Sequence, residues 1–518
     1  MNQTNHGAIA AGHEKTATAG IEMLQLGGNA FDAATAAVLA SFVVEPMLTS
    51  PAGGGFLLAH TEAGENTLFD FFTQTPLQKR PRSEVEFRDI NLNFGGAIQT
   101  FHIGKGSIAT PGNILGITQV HQKLGKLPFH IVAEPAINYA EKGVEVGEFS
   151  AYCLQLLAPI ALSNQDSQQI FAPNGQVLQQ GDRLVLKDLA ETLKYLVKYG
   201  CQEFYTGEIA HELIRDCQQS GGYLTLEDLK SYQVIERKPL VTQYRDRQIL
   251  TNPPPSSGGI LLCFALQLLS QTDLSKLEFG SSQHLELLAN IMKITNQARK
   301  NSYDSHIYQA DIAEQFLSSS NLEIYLQTLK RSPNKWGSTT HISVLDEQGN
   351  AATVTTSNGE GSGYVIPHTG IMMNNMLGED DLNPFGFHQW TENCRLSSMM
   401  SPTILLKDGQ PEIVLGSGGS KRIRTAILQV ISNLLDWKMP LSSAISCPRC
   451  HWEDDLFNIE FGVAESTINA LQDLGEFPIN SWNQQNMFFG GVHTVMKTPL
   501  DGIIGAGDRR RCGVFLSC

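Results

Sequence analysis

The sequence predicts a mixed α/β protein. Three segments support this prediction: an alanine-rich apolar run at residues 30–44, an alternation of apolar and polar residues within residues 342–356, and a strand, a glycine cluster and an apolar-faced segment within residues 412–434. A 3.6-residue apolar period indicates a helix, and a two-residue period indicates a strand. The 518 residues, 42% hydrophobic and 17% charged, allow two to four domains or one large α/β unit, with a core that needs neither disulfides nor metals.

The alanine-rich run from Ala30 to Val44 is predicted to form the first long helix. Asn29 is a suitable N-cap, and Asp32 places a negative charge in the first turn, where the helix dipole favours one. Because the run is so rich in alanine, we expect the helix to be buried against a sheet.

Two further regions are predicted to be helical from their apolar periods, residues 187–235 and residues 260–269. The loop at residues 253–259, rich in proline, serine and glycine, precedes the second of these regions. Its backbone N–H groups could bind an anion at the start of the helix. The alternative is that the loop only closes the chain ahead of that helix.

Charge and cysteine content exclude several partners. The formal net charge of −15 makes nucleic acids and anionic membranes unfavourable partners, and the densest basic cluster, residues 509–511, is too short to form a basic arm. Nine scattered cysteines without framework spacing predict free thiols in a reducing compartment. No signal peptide pattern and no bilayer-spanning apolar run occurs, so we expect a cytoplasmic protein.

The most informative segment begins at a polar stretch, residues 331–338, which contains proline and glycine and is predicted to be a linker. After it, Ile342 and Val344 alternate with polar residues as in a strand. Residues 346–350 supply a turn, and a return strand follows. Thr339 therefore lies where a linker enters a hairpin.

Thr339 is a candidate nucleophile. A threonine hydroxyl needs a base beside it, and the α-amine of an N-terminal threonine can be that base, with a pKa of about 7.7–8.0. An internal threonine has no such amine, so the chain must first be cut between Ser338 and Thr339. The Thr339 hydroxyl could make this cut by attacking the preceding carbonyl. Alternatively, Thr339 is an ordinary strand residue, since threonine is common in strands.

A glycine loop, Gly416 to Ser420, follows a short strand and precedes a helix whose apolar face includes Ile423 and Ile427. Backbone N–H groups at such a junction can hold an oxyanion, and glycine lets a substrate carbonyl approach closely. A Walker phosphate site is excluded, because Lys421 is not followed by serine or threonine. A tight structural turn remains the alternative.

Two other clusters have a possible chemical role. The acids Glu379, Asp380 and Asp381 follow an apolar strand and could bind a substrate ammonium group, or could form only a solvated loop. Residues 447–451 contain two cysteines and a histidine, but no second cysteine pair at a matching spacing follows, so zinc is not expected. We expect no metal and no organic cofactor.

Together these segments resemble the γ-glutamyltransferase (γ-glutamyltranspeptidase) family of the N-terminal-nucleophile hydrolases, over nearly the whole chain. The strongest match is Thr339-Thr340-His341-Ile342-Ser343-Val344, followed by Asp346 and Gly349-Asn350. Further landmarks in the family's order are Gly27-Gly28-Asn29-Ala30, Asp32-Ala33-Ala34, Val44-Glu45-Pro46, Gly53-Gly54-Gly55-Phe56, Ala109-Thr110-Pro111-Gly112, Gly125-Lys126-Leu127-Pro128 and Pro255-Ser256-Ser257-Gly258-Gly259.

The resemblance implies a four-layer αββα sandwich of two stacked sheets with helices outside. It implies self-cleavage before Thr339, which would divide the chain into segments 1–338 and 339–518 that remain associated in one intertwined domain. The implied catalytic residues are Thr339 as nucleophile, Ser357 as its support, and Gly418 and Gly419 as the oxyanion hole. The implied substrate-binding residues are Asn358, Glu379 with Asp380 as the alternative, and the serine pair Ser397 and Ser398.

The implied reaction is transfer or hydrolysis of a γ-glutamyl group, from glutathione or another γ-glutamyl amide, to an amino acid, a peptide or water. One departure bears on this: Phe72 stands where the family has an arginine that pairs with the substrate α-carboxylate, and Met400 also departs from the family pattern. Either another base such as Arg422 replaces the arginine, or the acyl group lacks that carboxylate and the protein is an acylase of the same fold. A third possibility is a binding protein that is never processed.

Overall fold

Two central antiparallel sheets form the middle of the molecule, and helices cover the outer face of each sheet. The computed structural model describes residues 6–93, 98–325, 339–453 and 455–518, so the predicted linker at residues 331–338 lies outside the described residues. The strands are β1 (Gly7–Ala11), β2 (Gly54–His60), β3 (Asn66–Phe71), β4 (Arg88–Asn93), β5 (Ile98–Ile103), β6 (Val144–Glu145), β7 (Arg183–Leu184), β8 (Ile235–Arg237), β9 (Leu240–Tyr244), β10 (Arg247–Thr251), β11 (Thr340–Asp346), β12 (Ala351–Ser357), β13 (Val365–Ile366), β14 (Ile371–Met372), β15 (Thr403–Lys407), β16 (Gln410–Gly418), β17 (Cys450–Glu453), β18 (Leu456–Ile459), β19 (Ile479–Ser481), β20 (Gly491–Thr498), β21 (Gly502–Ala506) and β22 (Val514–Ser517).

The helices occupy the segments between these strands, and within the described residues none has the length and apolarity needed to cross a membrane. The α-helices are α1 (Glu14–Gln25), α2 (Ala30–Val44), α3 (Asn113–Leu124), α4 (Phe129–Lys142), α5 (Glu148–Leu156), α6 (Ala158–Ala161), α7 (Gln165–Phe171), α8 (Lys187–Tyr199), α9 (Glu203–Thr206), α10 (Glu208–Gln219), α11 (Leu226–Ser231), α12 (Ser257–Ser270), α13 (Ser282–Ala298), α14 (Ile312–Phe316), α15 (Ser319–Tyr325), α16 (Arg422–Leu435), α17 (Leu441–Ser446) and α18 (Glu465–Leu474). Short 3₁₀ or π turns occupy Arg82–Glu84, Lys105–Ser107, Leu274–Lys276, Arg299–Tyr303, Asp304–His306, Met376–Gly378, Asp380–Leu382, Met487–Phe489 and Arg509–Arg511.

The strand order shows how the two halves of the chain interleave. The first sheet has seven strands in the order β22-β1-β11-β12-β2-β3-β8, and the second has six in the order β21-β20-β16-β15-β10-β9. Each sheet therefore contains strands from before and after Thr339. The predicted division into segments 1–338 and 339–518 would leave two pieces that share both sheets; the division itself stays a prediction.

The layers follow from which face each strand buries. On β11, Ile342 and Val344 belong to the core shared with α1 and α2, whereas Leu345 belongs to the core that contains the second sheet, α12 and α16. Because neighbouring residues of a strand face opposite sides, β11 contributes to both cores at once. The order of layers is therefore α, β, β, α, as the family resemblance implied.

Helix α2 has the bounds and the cap that the sequence predicted. The Asn29 side chain accepts hydrogen bonds from the N–H groups of Phe31 and Asp32, and the Asp32 carboxylate accepts one from the Asn29 N–H. This reciprocal capping box satisfies N–H groups that a helix start otherwise leaves unpaired. All fifteen residues of α2 are buried, as expected for an alanine-rich helix against a sheet.

The Asp32 carboxylate also connects α2 to the loop after α3. It accepts hydrogen bonds from the N–H groups of Lys126 at 3.0 Å and Leu127 at 3.1 Å, and it lies 3.3 Å from His121 Nε2. Burial alone would raise the pKa of Asp32, but the hydrogen bonds from His121 and from three backbone N–H groups outweigh burial and lower that pKa. The ionised form is therefore the one that stabilises the fold.

We expect Asp32→Ala to lower the free energy of unfolding by about 3 kcal/mol, because several buried donors lose their acceptor at once. Asp188→Ala is the matched control, since Asp188 is an exposed acid in the first turn of α8 and contributes only through the helix dipole, about 0.3–1 kcal/mol. Urea unfolding at neutral pH measures both. The Asp32 contribution is complete above the ordinary carboxyl pKa and is lost as pH falls through the lowered folded-state value. Equal losses in the two variants would contradict this assignment.

The segments around Thr339 and the glycine cluster match their predictions in part. The hairpin of β11 and β12 is present, with the turn between Asp346 and Asn350. The predicted glycine loop is too long, however, because β16 continues through Gly418 and pairs with β20 as far as Gly491. The strand can extend because it lies against the first sheet, where an added Cβ on Gly416 would be 2.2 Å from the His341 ring. Only a short turn precedes α16.

Candidate active site

Thr339 immediately precedes β11, and its backbone is held from two sides. Its carbonyl oxygen accepts a hydrogen bond from Arg511 Nη1 at 3.0 Å. The same oxygen lies against Gly418, where an added Cβ would be only 2.2 Å away. The pairing of Thr340 with Thr356 places Thr339 beside Ser357 at the end of the hairpin. Thr339 itself is buried, with 5% of its surface exposed.

Thr339 and Ser357 open onto one small cavity at the end of the two sheets. Four of the residues predicted from the sequence line it: Thr339, Ser357, Glu379 and Ser398. Its other walls are mostly apolar. The remaining lining residues are Phe72, Met376, Asp381, Leu382, Met399, Met400, Ser420 and Ile423.

Gly418 adjoins Thr339, whereas Gly419 packs against Gly490 and Arg511, and neither glycine lines the cavity. The Ser417 hydroxyl donates to the Gly418 carbonyl at 2.8 Å and accepts from the Gly491 N–H at 3.0 Å, which fixes the end of β16. Gly419 has φ = +125°, a conformation that residues with a Cβ rarely adopt. Gly418 thus brings backbone next to Thr339 where a side chain would collide.

Three predicted substrate-binding residues do not line the cavity. Asn358 is buried, and its side-chain amide donates to the carbonyls of Met372 and Met373 at 3.4 Å. The hydroxyl of Ser397 shares a 2.8 Å hydrogen bond with that of Ser257. Asp380 is half-buried outside the cavity, in the turn after Glu379. These positions support the shape of the site, while Glu379 and Ser398 face its interior.

Asp381, rather than Asp380, is the second acid of the cavity. Its carboxylate lies 3.2 Å from Lys421 Nζ and accepts a hydrogen bond from the Ser420 hydroxyl. Lys421 also lies 3.2 Å from Glu453, so its ammonium bridges two carboxylates. This ion pair joins the acidic turn to the segment after the glycines. Sequence order alone could not tell which of two adjacent acids faces inward, because the 3₁₀ turn at Asp380–Leu382 decides it.

Glu360 is a buried acid that sequence reasoning missed. Burial, followed by the charge of Glu360 and a hydrogen bond with it, raises the pKa of Glu379 well above its ordinary value, and Asp381 adds to the effect. Two neighbouring buried carboxyl groups cannot both ionise readily, so the charged form of Glu379 is disfavoured beside Glu360. The available signal was an acid between Gly359 and Gly361 directly after the nucleophile's hairpin.

Phe72 forms one wall of the cavity, where its ring stacks on Phe56 with centroids 5.3 Å apart. Arg395 lies behind that wall. Its guanidinium donates to the carbonyls of Phe72 and Gln233 and lies 3.4 Å from Asp70. Arg395 is therefore held by protein groups behind the wall, is not among the residues that line the cavity, and does not take the place of the missing arginine.

Arg422 does not take that place either. It is buried, lies 3.4 Å from Glu453, and has its guanidinium over the ring of Phe488 at 4.9 Å. It is not among the residues that line the cavity, so the structure gives no support to the suggestion that Arg422 replaces the arginine. Within the described residues, no lining residue carries a positive charge.

Arg511 is the second functional candidate that the sequence did not reveal, since residues 509–511 look like a short surface cluster. Arg510 and Arg511 are in fact buried. Arg510 pairs with Glu460, while Arg511 reaches the Thr339 carbonyl. Burial lowers the pKa of Arg511 to about 10, so its guanidinium remains charged at neutral pH beside Thr339.

Comparison with known proteins agrees with this geometry. The sequence model of the family described as Gamma-glutamyltranspeptidase matches residues 16–518. A glutathione hydrolase proenzyme from Escherichia coli strain K12 is 31% identical over 98% of this chain and 91% of that protein. The acylase ACY 1 proenzyme of Pseudomonas sp. strain SE83 is 29% identical over 98% and 93%.

Among solved structures, cephalosporin acylase from Bacillus halodurans superposes with a TM-score of 0.87 at 24% identity, covering 99% of this chain and 96% of that one. At this identity the likeness establishes the fold alone. The family match spans almost the whole chain, and the proteins with that match are enzymes. The chain therefore belongs to the γ-glutamyltranspeptidase family.

Proposed function

We propose that this protein cuts its own chain before Thr339 and then hydrolyses or transfers γ-glutamyl groups through an ester on the Thr339 hydroxyl. The observation that carries this proposal is the position of Thr339: at the start of β11, open to the cavity, with its carbonyl between Arg511 and Gly418. Relatives of 30–31% identity named glutathione hydrolase proenzyme support the γ-glutamyl part.

The self-cleavage needs no other reactant than water. The Thr339 hydroxyl attacks the carbonyl carbon of Ser338, the bond between that carbon and the Thr339 nitrogen breaks, and an ester forms. Water then opens the ester, which restores the hydroxyl and releases the carboxylate of Ser338. The Thr339 amine that is freed becomes the base for the second reaction.

In acyl transfer, the Thr339 amine takes the hydroxyl proton as the oxygen attacks the amide carbonyl of the donor. The N–H groups of Gly418 and Gly419 are proposed to stabilise the resulting oxyanion. The leaving amine takes the proton, and an amino acid, a peptide or water then accepts the acyl group. The buried guanidinium of Arg511 favours the neutral form of the nearby amine, because a like charge beside it is unfavourable.

The acids of the cavity suit the α-ammonium group of a γ-glutamyl donor. Glu379 and Asp381 both face the cavity, and the neighbouring Glu360 raises the pKa of Glu379. An incoming ammonium would stabilise the charged state of the acid pair, which the buried pair alone cannot reach easily. Glu379 is accordingly the proposed anchor for the ammonium, and Asp381 is its neighbour.

A second candidate function is an acylase whose acyl group lacks the α-carboxylate. It is favoured by Phe72 and by the absence of a cationic residue from the described lining of the cavity. A buried carboxylate without a cationic or hydrogen-bonded partner is strongly unfavourable. The apolar walls at Met376, Met399 and Met400 would instead suit an uncharged chain.

Three anilides separate these candidates: γ-glutamyl anilide, 4-aminobutyryl anilide, which lacks only the α-carboxylate, and glutaryl anilide, which lacks only the α-amine. The γ-glutamyl proposal predicts the highest kcat/KM for the first compound. The acylase predicts equal or faster turnover of the second, and such a result would remove the γ-glutamyl proposal. Both predict that the third is poorest, because the acids of the cavity repel it.

Two further expectations belong to this proposal. A mass spectrum of the purified protein should show fragments 1–338 and 339–518, and a single full-length species in active material would contradict the mechanism.

The cytoplasmic location predicted from the sequence also stays a proposal. Cell fractionation followed by detection of residues 339–518 tests it, and recovery outside the cytoplasm would overturn it.

A further inference from the structure

Glu45 contacts the first residue of β11, the strand that directly follows Thr339. It is the residue after α2, and its carboxylate is buried. The Thr340 hydroxyl donates to one carboxylate oxygen at 2.9 Å, and the Thr16 hydroxyl donates to the other at 3.0 Å. The acid therefore connects the end of α2 and the start of α1 to the residue next to Thr339.

The Thr340 side chain and the Thr339 side chain lie on opposite faces of the first sheet. Thr339 lines the acyl cavity, whereas Thr340 contacts Glu45 on the helix-covered side. Together with the hydrogen bond from Arg511 to the Thr339 carbonyl, this contact fixes the backbone of the two threonines at two points. Neither contact occupies the cavity where a substrate would bind.

Gly12, directly after β1, packs closely against the Glu45 carboxylate and the Thr340 hydroxyl. An added Cβ on Gly12 would lie 2.9 Å from the Glu45 carboxylate and 3.3 Å from the Thr340 hydroxyl. The chain directly after β1 thus lies against both groups. A shift of Thr340 would require a shift of β1 or of α2, so the hydrogen bond holds Thr340 against rigid elements.

This carboxylate is costly to bury. Burial raises the pKa of Glu45 to about 7, and the hydrogen bonds from Thr340 and Thr16 offset that effect only in part. The folded state therefore favours the protonated form, and ionisation makes the fold less stable as pH rises from the ordinary carboxyl value towards 7. An apolar side chain of similar size would avoid this loss. Stability therefore does not explain the carboxylate, and its hydrogen bond with Thr340 is the contact nearest Thr339.

We propose that Glu45 is a positioning residue for the nucleophile: by accepting the Thr340 hydroxyl, it holds the backbone of Thr339 so that the Thr339 hydroxyl faces the cavity. The inference rests on the proposed function of Thr339. Small displacements of a reacting group can reduce rate by roughly 10²-fold without weakening substrate binding. Loss of the contact should therefore appear in kcat rather than in KM.

The test uses two pairs of variants in the full chain. Thr340→Val and Glu45→Leu remove the hydrogen bond between Thr340 and Glu45 with little change of side-chain shape. Thr340→Ser retains the hydroxyl donor, and Glu45→Gln retains an oxygen acceptor. We expect the first pair to lower kcat on the preferred anilide roughly 10²-fold at unchanged KM and to slow self-cleavage. The second pair should stay within about threefold of the wild type. The double variant Glu45→Leu/Thr340→Val should lose no more than Glu45→Leu alone, because Glu45→Leu already removes the contact with Thr340.

Thr35→Val is the matched control, since Thr35 is a buried threonine of α2 whose hydroxyl bonds only within the helix. It should leave kcat unchanged. Wild-type kcat in Thr340→Val, or a Glu45→Gln variant as slow as Glu45→Leu, would overturn the positioning role. A wild-type chain that is neither cleaved nor active would instead overturn the proposed function, so the two failures are distinguishable.

Discussion

Replacing Thr339 with alanine should leave one full-length chain and no activity. Without the hydroxyl there is no group to attack the Ser338 carbonyl, so the amine that serves as base is never released. Loss of the nucleophile in a serine protease reduces kcat by roughly 10⁶-fold, and we expect a loss of the same order here. A denaturing gel and a mass spectrum measure the cleavage, and the preferred anilide measures the activity.

Two controls make the Thr339→Ala result specific. Thr339→Ser keeps a hydroxyl and should still give fragments 1–338 and 339–518, at a reduced rate. Thr242→Ala removes a buried threonine from β9, at the edge of the second sheet, and should be cleaved like the wild type. Persistence of both fragments in Thr339→Ala would mean that another group cuts the chain, and the self-cleavage mechanism would have to be abandoned.

Much of the architecture was predictable because it depends on local patterns. The helix at Ala30–Val44 follows from its cap and its alanine content, and the hairpin of β11 and β12 follows from two-residue alternation and a turn. The length of β16 was not predictable in this way. Pairing with β20 extends that strand through Gly418, and such pairing is a property of the assembled sheets rather than of the local sequence.

The residues of the candidate active site likewise separate into those that local sequence predicts and those that only the folded chain reveals. Thr339, Glu379 and Gly418 were predicted from motifs, which report residues close in sequence, and the structure brings Thr339 together with each of the other two. Arg511 was missed because it reaches Thr339 across 172 positions of the chain. Glu360 was missed because a single acid between glycines looks like an ordinary turn, and only the fold shows that it is buried beside Glu379. The roles assigned to the substrate-binding residues still stand as predictions.

Substituting Gly418 with alanine tests the other essential feature of the site, the contact between β16 and the nucleophile's backbone. The added Cβ would lie 2.2 Å from the Thr339 carbonyl oxygen, well inside any normal contact. The oxygen cannot simply retreat, because Arg511 holds it at 3.0 Å and the Arg511 guanidinium would itself lie 3.2 Å from the new methyl group. Either Thr339 or the end of β16 must move.

We expect Gly418→Ala to lower kcat by roughly 10²–10³-fold, comparable to the loss of one oxyanion donor, and to impair self-cleavage as well. Gly147→Ala is the matched control, because Gly147 has φ = −74° and its added Cβ would meet no atom within 4 Å. Thermal unfolding of both variants separates a displaced site from a failed fold. If Gly418→Ala retained kcat within threefold of Gly147→Ala, β16 could yield without disturbing Thr339, and the close contact between them would carry no catalytic consequence.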